Sequence, residues 1–313
     1  MMVGVVFWGN SQSLFSGRHF QALLAARCRL AAVVDVPPTK QDSTNPLPEG
    51  VPDFVDTADQ MGIPALAPAD PGDLEFLAQL RSLAPDLFLA AGYSLILKSP
   101  TLAIPRLGAV NFHASLLPDY RGKHPVFWAL RDGRSWAGLT VHRMDSGIDT
   151  GDIIYQVKVR TRRDDTVASL YDRIMDRSVA LAGRLVADAE RGSIPHYPQP
   201  ARKGSYFSSI KEDDFRIDWT WPAEKIRRHI AMSPGQCFAR LGGQRLFFYR
   251  AGTVKETKED RPGAILKLGR SRCTIAAGEG AVWIGRARTD GGDEGSMVSC
   301  CRQLGLEEGA VLA

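Results

Sequence analysis

The sequence is poor in the features that mark several large classes of protein. Its five cysteines (Cys28, Cys237, Cys273, Cys300 and Cys301) form no CxxC pair and no Cys/His ligand spacing. An odd number of unpatterned thiols argues against a disulfide framework and points to reduced cysteines in a cytoplasmic protein. Cys300 and Cys301 are a poor redox pair, because a bond between sequence neighbours is strained. No apolar run approaches the roughly 20 residues of a membrane-spanning helix, so no membrane partner is expected. The run at 3–8 (VGVVFW) is too short for a secretory leader and follows no basic segment. Strong charge is missing too. A net charge of +4 does not establish the clustered basic face of a nucleic-acid binder, and it suits an anionic small molecule equally well. There is no GxGxxG after the first strand, hence no dinucleotide fingerprint. There is no GxSxG either: Ser115 lies between Ala114 and Leu116, which excludes a nucleophile elbow. The carboxylates show no metal-ligand spacing, so no metal is expected.

What is present is an ordinary globular composition, 44% hydrophobic and 24% charged. A length of 313 residues suits two domains. The apolar runs at 3–8 and 30–36 flank a helical segment containing HFQALLAA, with Ser11, Ser13 and Ser16 as candidate caps. Continuous apolar strands around a helix predict a doubly wound, mostly parallel α/β sheet. Further strands are expected at 63–67, 86–90 and 107–113, a hairpin at 138–144 and 152–159, a helix over 72–83 and one long helix over 166–191. Residues 37–54 read as a loop and 193–206 as a Pro-rich linker. Beyond it, a helix over 223–232 and five short β-like runs between 236 and 285 have the spacing of a small barrel. The expected division is therefore a catalytic domain over 1–192, a linker over 193–206 and a C-terminal OB-like β-barrel domain over 207–313.

One stretch carries chemistry. Asn111 and His113 are two apart at the end of the 107–113 strand, so they share a face. The carboxyl edge of an open α/β sheet is where ligands bind. Asp149 falls on the hairpin loop, where functional side chains concentrate. A carboxamide, an imidazole and a carboxylate are the parts of an acyl-transfer site: a donor to a developing oxyanion, a proton carrier and a group that tunes it. A capped strand end with a satisfied histidine is the alternative. Arg121 and Lys123 are candidates for holding an anionic tail, against ordinary surface charge. Phe127, Trp128 and Trp136 read as core. Lys225, Arg228 and His229 share a helix face that reads as solvated. Arg245, Arg250, Lys255 and Lys258 form a basic stretch diluted by Glu256, Glu259 and Asp260.

The order Asn111-x-His113-x-Ser115-Leu116-Leu117-Pro118, Tyr120-Arg121-Gly122, Gly138-x-Thr140 and Asp149-Thr150-Gly151 resembles the 10-formyltetrahydrofolate-dependent formyltransferases. That family includes the glycinamide ribonucleotide, methionyl-tRNA and nucleotide-sugar enzymes. The resemblance implies a Rossmann-like formyltransferase core, with 10-formyltetrahydrofolate as co-substrate and Asn111, His113 and Asp149 as the catalytic trio. It implies folate contacts at Tyr93, Leu95 and Ile96, at Ser115, Leu116, Leu117 and Pro118, and at the 145–149 loop with Asp145 and Gly147. Lys123 stands where related sugar enzymes have a basic residue. Oligomeric state stays open.

The expected acceptor is a small amine, such as the amino sugar of a nucleotide sugar. Three features favour it. The 37–54 loop has one lysine, Lys40, against Asp42, Glu49 and Asp53, with Asp35 just before, whereas a tRNA-gripping loop is expected to be basic. Residues 123–128 (KHPVFW) replace a small-residue turn. Gly204-Ser205-Tyr206-Phe207 and Leu304-Gly305-Leu306-Glu307-x-Gly309 look closer to the aminoarabinose-type enzymes. Methionyl-tRNA is the first alternative. Hydrolysis of formyltetrahydrofolate is the second, disfavoured because the chain opens on its first strand without the regulatory domain of the related deformylases.

Overall fold

The computed structural model describes residues 2–40, 45–201, 203–241, 243–254 and 260–313. The chain divides into two compact units. The first takes residues up to Val126 with Trp136–Arg160 and Ala168–Ser208; the second takes Phe127–Ser135, Thr161–Val167 and Ser209–Ala313.

Apolar runs without polar alternation bury both faces of a strand, and they build the centre of the first unit. These are β1 (Gly4–Gly9), with every residue buried, then α1 (Leu14–Ala25) and β2 (Arg29–Asp35). There follow α2 (Phe54–Gln60), β3 (Ala65–Leu66), α3 (Leu74–Ser82) and the fully buried β4 (Leu87–Ala91). The chain continues through α4 (Ser99–Leu102), β5 (Ala109–His113), β6 (Arg121–Gly122) and α5 (Pro125–Arg131). The hairpin is β7 (Trp136–Arg143) and β8 (Ile153–Arg160), followed by α6 (Val167–Ser178), α7 (Ala180–Glu190) and β9 (Tyr206–Phe207). The sheet order is β3-β2-β1-β4-β5-β7-β8. The first five strands are parallel, and β7 and β8 join antiparallel. The doubly wound, mostly parallel sheet is thus as expected.

Caps explain where two of the helices begin. Asp53 accepts from the amides of Val55 and Asp56, and Asp73 from those of Glu75 and Phe76. Ser13 occupies the cap position of α1 without a side-chain cap bond. Ser16, inside α1, instead donates to the Ala91 carbonyl at 2.7 Å and accepts from the Asn10 amide at 3.0 Å. The long helix expected over 166–191 is divided at Val179. Ser178 there reaches both the Met175 carbonyl and His19 Nε2, at 3.4 and 3.3 Å, and a serine bonded back to its own helix competes with the regular ladder. Trp136, expected in the core, opens β7 with about half its surface exposed.

The second unit holds α8 (Ala223–Met232), β10 (Phe238–Leu241), β11 (Gln244–Val254), β12 (Ile265–Leu268) and β13 (Cys273–Ala276). It ends with β14 (Ala281–Thr289), β15 (Gly295–Ser296) and α9 (Met297–Gln303). Its antiparallel sheet runs β10-β11-β14-β13-β12, with β15 on β14, a half-barrel that matches the C-terminal architecture expected. Ile226, Ile230, Phe248, Ile284, Met297 and Cys301 pack in its core. His229, read as solvated, is buried against Trp221. Arg245 is spent on Asp290 and Glu212. Lys255, Glu256, Lys258 and Glu259 lie outside the described residues. Among the described residues, no helix is long and apolar enough to cross a membrane.

Leu89 lies fully buried in the central strand β4. Leu89→Ala is expected to lower unfolding free energy by about 2–5 kcal/mol, measured by urea denaturation. A loss below about 1 kcal/mol would contradict its central place.

Candidate active site

Asn111 and His113 end β5, which lies parallel to β4 and antiparallel to β7. The register sets Asn111 opposite His142 and His113 opposite Thr140. Directly opposed residues share a sheet face, so four polar side chains converge on one face at the carboxyl edge. The β7–β8 loop then brings Asp149 over them.

Asp149 is the hub. Its Oδ1 accepts from Asn111 Nδ2 at 3.3 Å and lies 3.2 Å from His142 Nε2. Its Oδ2 accepts from the Gly122 amide at 2.8 Å and lies 3.5 Å from His113 Nδ1. The carboxylate side chain is only 10% exposed. Burial alone works against its charge, but the two imidazoles and the Gly122 N–H outweigh that and hold the carboxyl well below the usual range. Asp149 has φ +55°, a left-handed conformation that a non-glycine residue keeps only when its surroundings enforce it. Gln199 enforces it by donating to the carbonyls of Asp149 and Gly151 at 2.7 and 2.9 Å, while its own oxygen accepts from Arg121.

His113 donates from Nε2 to the Tyr120 carbonyl at 2.7 Å. In the neutral ring this leaves Nδ1 as a bare acceptor facing Asp149. Burial pushes the His113 pKa down; Asp149 opposes that, and His142 adds to it. The resting pair is a neutral imidazole beside an ionised carboxylate. The site can therefore take up one proton at Nδ1 and gain an ion pair by doing so.

Gly122 shows why the neighbouring turn needs glycine. Its φ is +90°, and a Cβ there would meet the Phe207 carbonyl at 2.1 Å. That close approach comes from the β6–β9 pairing, in which Arg121 and Gly122 align with Tyr206 and Phe207. The Gly-Ser-Tyr-Phe run is thus a wall of this site.

The other expected residues divide. Ser115, Leu117 and Pro118 are buried, and their polar groups serve the turn: Ser115 Oγ donates to the Asp119 carbonyl, and Thr140 Oγ1 bridges the Ser115 carbonyl and Leu117 amide. Leu116 is half-buried. Asp145 and Gly147 form an exposed turn in which Asp145 accepts from the Gly147 amide and the Thr150 hydroxyl. Tyr93, Leu95 and Ile96 follow the end of β4. Tyr93 packs edge-on against Trp8, Leu95 is half-buried and Ile96 is exposed. Lys123 is exposed, with no carboxylate partner among the described residues.

His142 and Gln199 went unnoticed in the sequence, and Thr140 was marked only as part of the Gly138-x-Thr140 motif. Thr140 and His142 had a signal: polar residues alternating with Leu139 and Val141 along one strand. Gln199, in a Pro-rich stretch, had none. Among the described residues, no group of three or more acidic, His or Cys side chains is arranged to hold a metal ion.

Residues 5–184 match the family model "Formyl transferase", and residues 209–304 match "Formyl transferase, C-terminal domain". The chain belongs to the formyl transferase family. It is a 10-formyltetrahydrofolate-dependent formyltransferase, as its resemblance implied. It is 34% identical over 295 residues to the methionyl-tRNA formyltransferase of Stutzerimonas stutzeri, covering 92% of this chain and 90% of that one. It is 35% identical over 231 residues to the protein of the same name from Synechococcus sp. (strain JA-3-3Ab), covering 72% of each. The N-formyltransferase of Helicobacter canadensis, solved with folinic acid and dTDP-3-aminofucose, is 18% identical with a TM-score of 0.67, covering 92% of this formyltransferase and 100% of that chain. At that identity the likeness concerns the fold.

These relatives overturn the expectation of a small amine such as an amino sugar. The structure shows why the charge count misled. Asp35 is buried and accepts from the Ser11 and Val36 amides, and Asp53 caps α2. Two of the acids counted against tRNA are spent inside the fold. Asp42 lies outside the described residues.

A carboxylate with a lowered folded-state pKa adds stability above its unfolded pKa, and that stability is lost as pH falls through the folded value. The stability gap between wild type and Asp149→Asn should therefore be full at neutral pH and narrow in strong acid. Urea melts at pH 7 and pH 3 measure it; a gap that widens in acid would contradict the assignment.

Proposed function

We propose that this formyltransferase moves the formyl group of 10-formyltetrahydrofolate to the α-amino group of methionyl-tRNA. The convergence of Asn111, His113, His142 and the Gly122 amide on Asp149 carries the chemistry. The acceptor rests on relatives named methionyl-tRNA formyltransferase whose similarity spans both units.

The reacting amine must be neutral, since an ammonium has no lone pair. Its nitrogen adds to the formyl carbon, and the carbonyl electrons move onto oxygen. Asn111 donates an N–H to that oxyanion. The nitrogen becomes positive and loses a proton to His113 Nδ1. The imidazolium so formed faces Asp149 and donates to Tyr120, so both its protons are held. That proton passes to folate N10 as the carbon–N10 bond breaks, and N10 leaves as a neutral amine. Asp149 orients His113 and stabilises its charged form without being consumed.

Tyr93, Leu95, Ile96 and Leu116 line the donor's binding edge in this reading, with the Asp145–Gly147 turn beside them. The buried Tyr93 hydroxyl has no hydrogen-bond partner among the described residues, which fits a polar edge of the pterin ring. The working division is a catalytic domain over 1–192, a linker over 193–206 whose Gln199 braces Asp149, and a C-terminal domain over 207–313. The enzyme acts in the cytoplasm, where charged tRNA is available.

Incubation with 10-formyltetrahydrofolate and charged initiator tRNA, beside a panel of aminosugar nucleotides, should give formyl transfer to the tRNA alone, with an affinity that weakens as salt rises. Transfer to a sugar and none to tRNA would overturn the acceptor. His113→Ala should lower kcat by about 10²–10³ and leave folate affinity, measured by calorimetry, within about threefold of wild type. Unchanged turnover would remove His113 from the chemistry.

A further inference from the structure

Resting on that reading, we propose that Tyr206 is the platform on which the 3′-terminal adenine of the acceptor stacks, with Lys123 beside it taking the phosphate that precedes that nucleotide. The two side chains share one face of the β6–β9 ribbon. Arg121 aligns with Tyr206 and Gly122 with Phe207. The Arg121 and Lys123 amides donate to the Ser205 and Phe207 carbonyls, each at 2.9 Å. Side chains alternate along a strand, and aligned residues point the same way. Arg121, Lys123 and Tyr206 therefore lie on one face, and Tyr120, Gly122 and Phe207 on the other.

The two faces meet different things. On the Gly122 side the Tyr120 and Phe207 rings stack, with centroids 5.5 Å apart. On the other side Arg121 reaches Gln199 at 2.7 Å, the residue that braces Asp149. Tyr206 is left 58% exposed. Among the described residues its hydroxyl has no hydrogen-bond partner, and its ring has no aromatic or cationic partner. Lys123 is likewise exposed and without a carboxylate partner among the described residues. An aromatic face beside a free ammonium is the pairing that holds single-stranded nucleic acid: the ring takes a base and the cation takes backbone phosphate. Stacking tolerates any base, which suits a terminus shared by all tRNAs.

A single exposed aromatic residue needs no special explanation; the place of this one does. Its ring edge closes on Gly122, where a Cβ would meet Tyr206 Cε2 at 2.8 Å. The Gly122 amide in turn donates to Asp149 Oδ2 at 2.8 Å. The ring edge is thus within about 9 Å of the catalytic carboxylate. His113 Nδ1, which receives the proton of the attacking amine, is 3.5 Å from that same oxygen. In an aminoacyl-tRNA one ester and one ribose separate the α-amino group from the terminal adenine, a spacer of the same order. With the amine at His113, the adenine comes within reach of Tyr206. The donor's edge in this reading follows β4, so the ribbon is left to the acceptor. A platform far from the reacting atoms binds ground and transition states alike, so its loss raises KM and spares kcat.

The test compares Tyr206→Leu with Tyr206→Phe. Leucine keeps an apolar cover over Gly122 and removes the π face; phenylalanine keeps the face and removes only the hydroxyl. Tyr206→Leu should raise KM for methionyl-tRNA about 5–100-fold with little change in kcat, while Tyr206→Phe stays within about threefold of wild type. A wild-type KM in Tyr206→Leu would overturn the stack. So would a loss confined to kcat, which would mark Tyr206 as a support for Gly122. Lys123→Gln should lower the slope of log affinity for methionyl-tRNA against log salt by about one; an unchanged slope would remove Lys123 from the phosphate. Calorimetry with the methionyl amide of 3′-amino-3′-deoxyadenosine, which carries the amine and the adenine and no phosphate, needs no turnover. Wild type should bind it, and Tyr206→Leu should bind it about fivefold or more weakly. Equal binding by both, or none by wild type, overturns the proposal. Absence of transfer to methionyl-tRNA by wild type would instead strike the acceptor reading, and the titration would still decide the place of Tyr206.

Discussion

An ionised carboxylate sealed from water is expensive, and the structure of the first unit around its catalytic edge follows from keeping Asp149 charged. Desolvating such a group costs several kcal/mol unless its oxygens are satisfied. Several neighbours of Asp149 contribute to that. Asn111 and Gly122 supply N–H groups, and two imidazoles stand within 3.5 Å. The left-handed backbone at Asp149 is stabilised by Gln199, which is itself held by Arg121. Removing the charge would leave these groups arranged around nothing.

The fold delivers those groups from five separate places. Parallel pairing of β4 and β5 sets Asn111 and His113 at the carboxyl edge, and antiparallel pairing with β7 adds Thr140 and His142 on the same face. The β7–β8 loop carries Asp149. The β6–β9 pairing presses Gly122 against Phe207, so that its amide reaches the carboxylate. The stretch containing Gln199 closes the back of the loop. The sheet is fully buried at β1 and β4. A site mounted on such elements holds its geometry better than one mounted on loops alone.

Much of this is legible in the sequence. Continuous apolar runs betray parallel strands because both faces are covered, which located β1, β2 and β4. The helix α8 fell on its expected residues because its apolar spacing is uninterrupted. Asn111 and His113 were legible because period-two geometry and the carboxyl-edge rule both act locally. His142 was written in the same code, but its meaning depends on a register that pairs it with Asn111, and register is a long-range property. Gln199 had no local signal at all. The acceptor was misjudged because charge was counted along the chain, and the count cannot tell a surface carboxylate from one spent on a buried amide, as Asp35 is, or on a helix cap, as Asp53 is.

The central claim is that the Asp149 charge organises both His113 and Asn111 for transfer. Single-turnover formylation of methionyl-tRNA by Asp149→Asn, at saturating 10-formyltetrahydrofolate, tests it most directly. The amide keeps the shape and removes the charge, so His113 loses the partner of its protonated form. The account predicts a fall of about 10³-fold or more in the transfer rate, with folate affinity little changed. A variant that transfers within about threefold of wild type would contradict it.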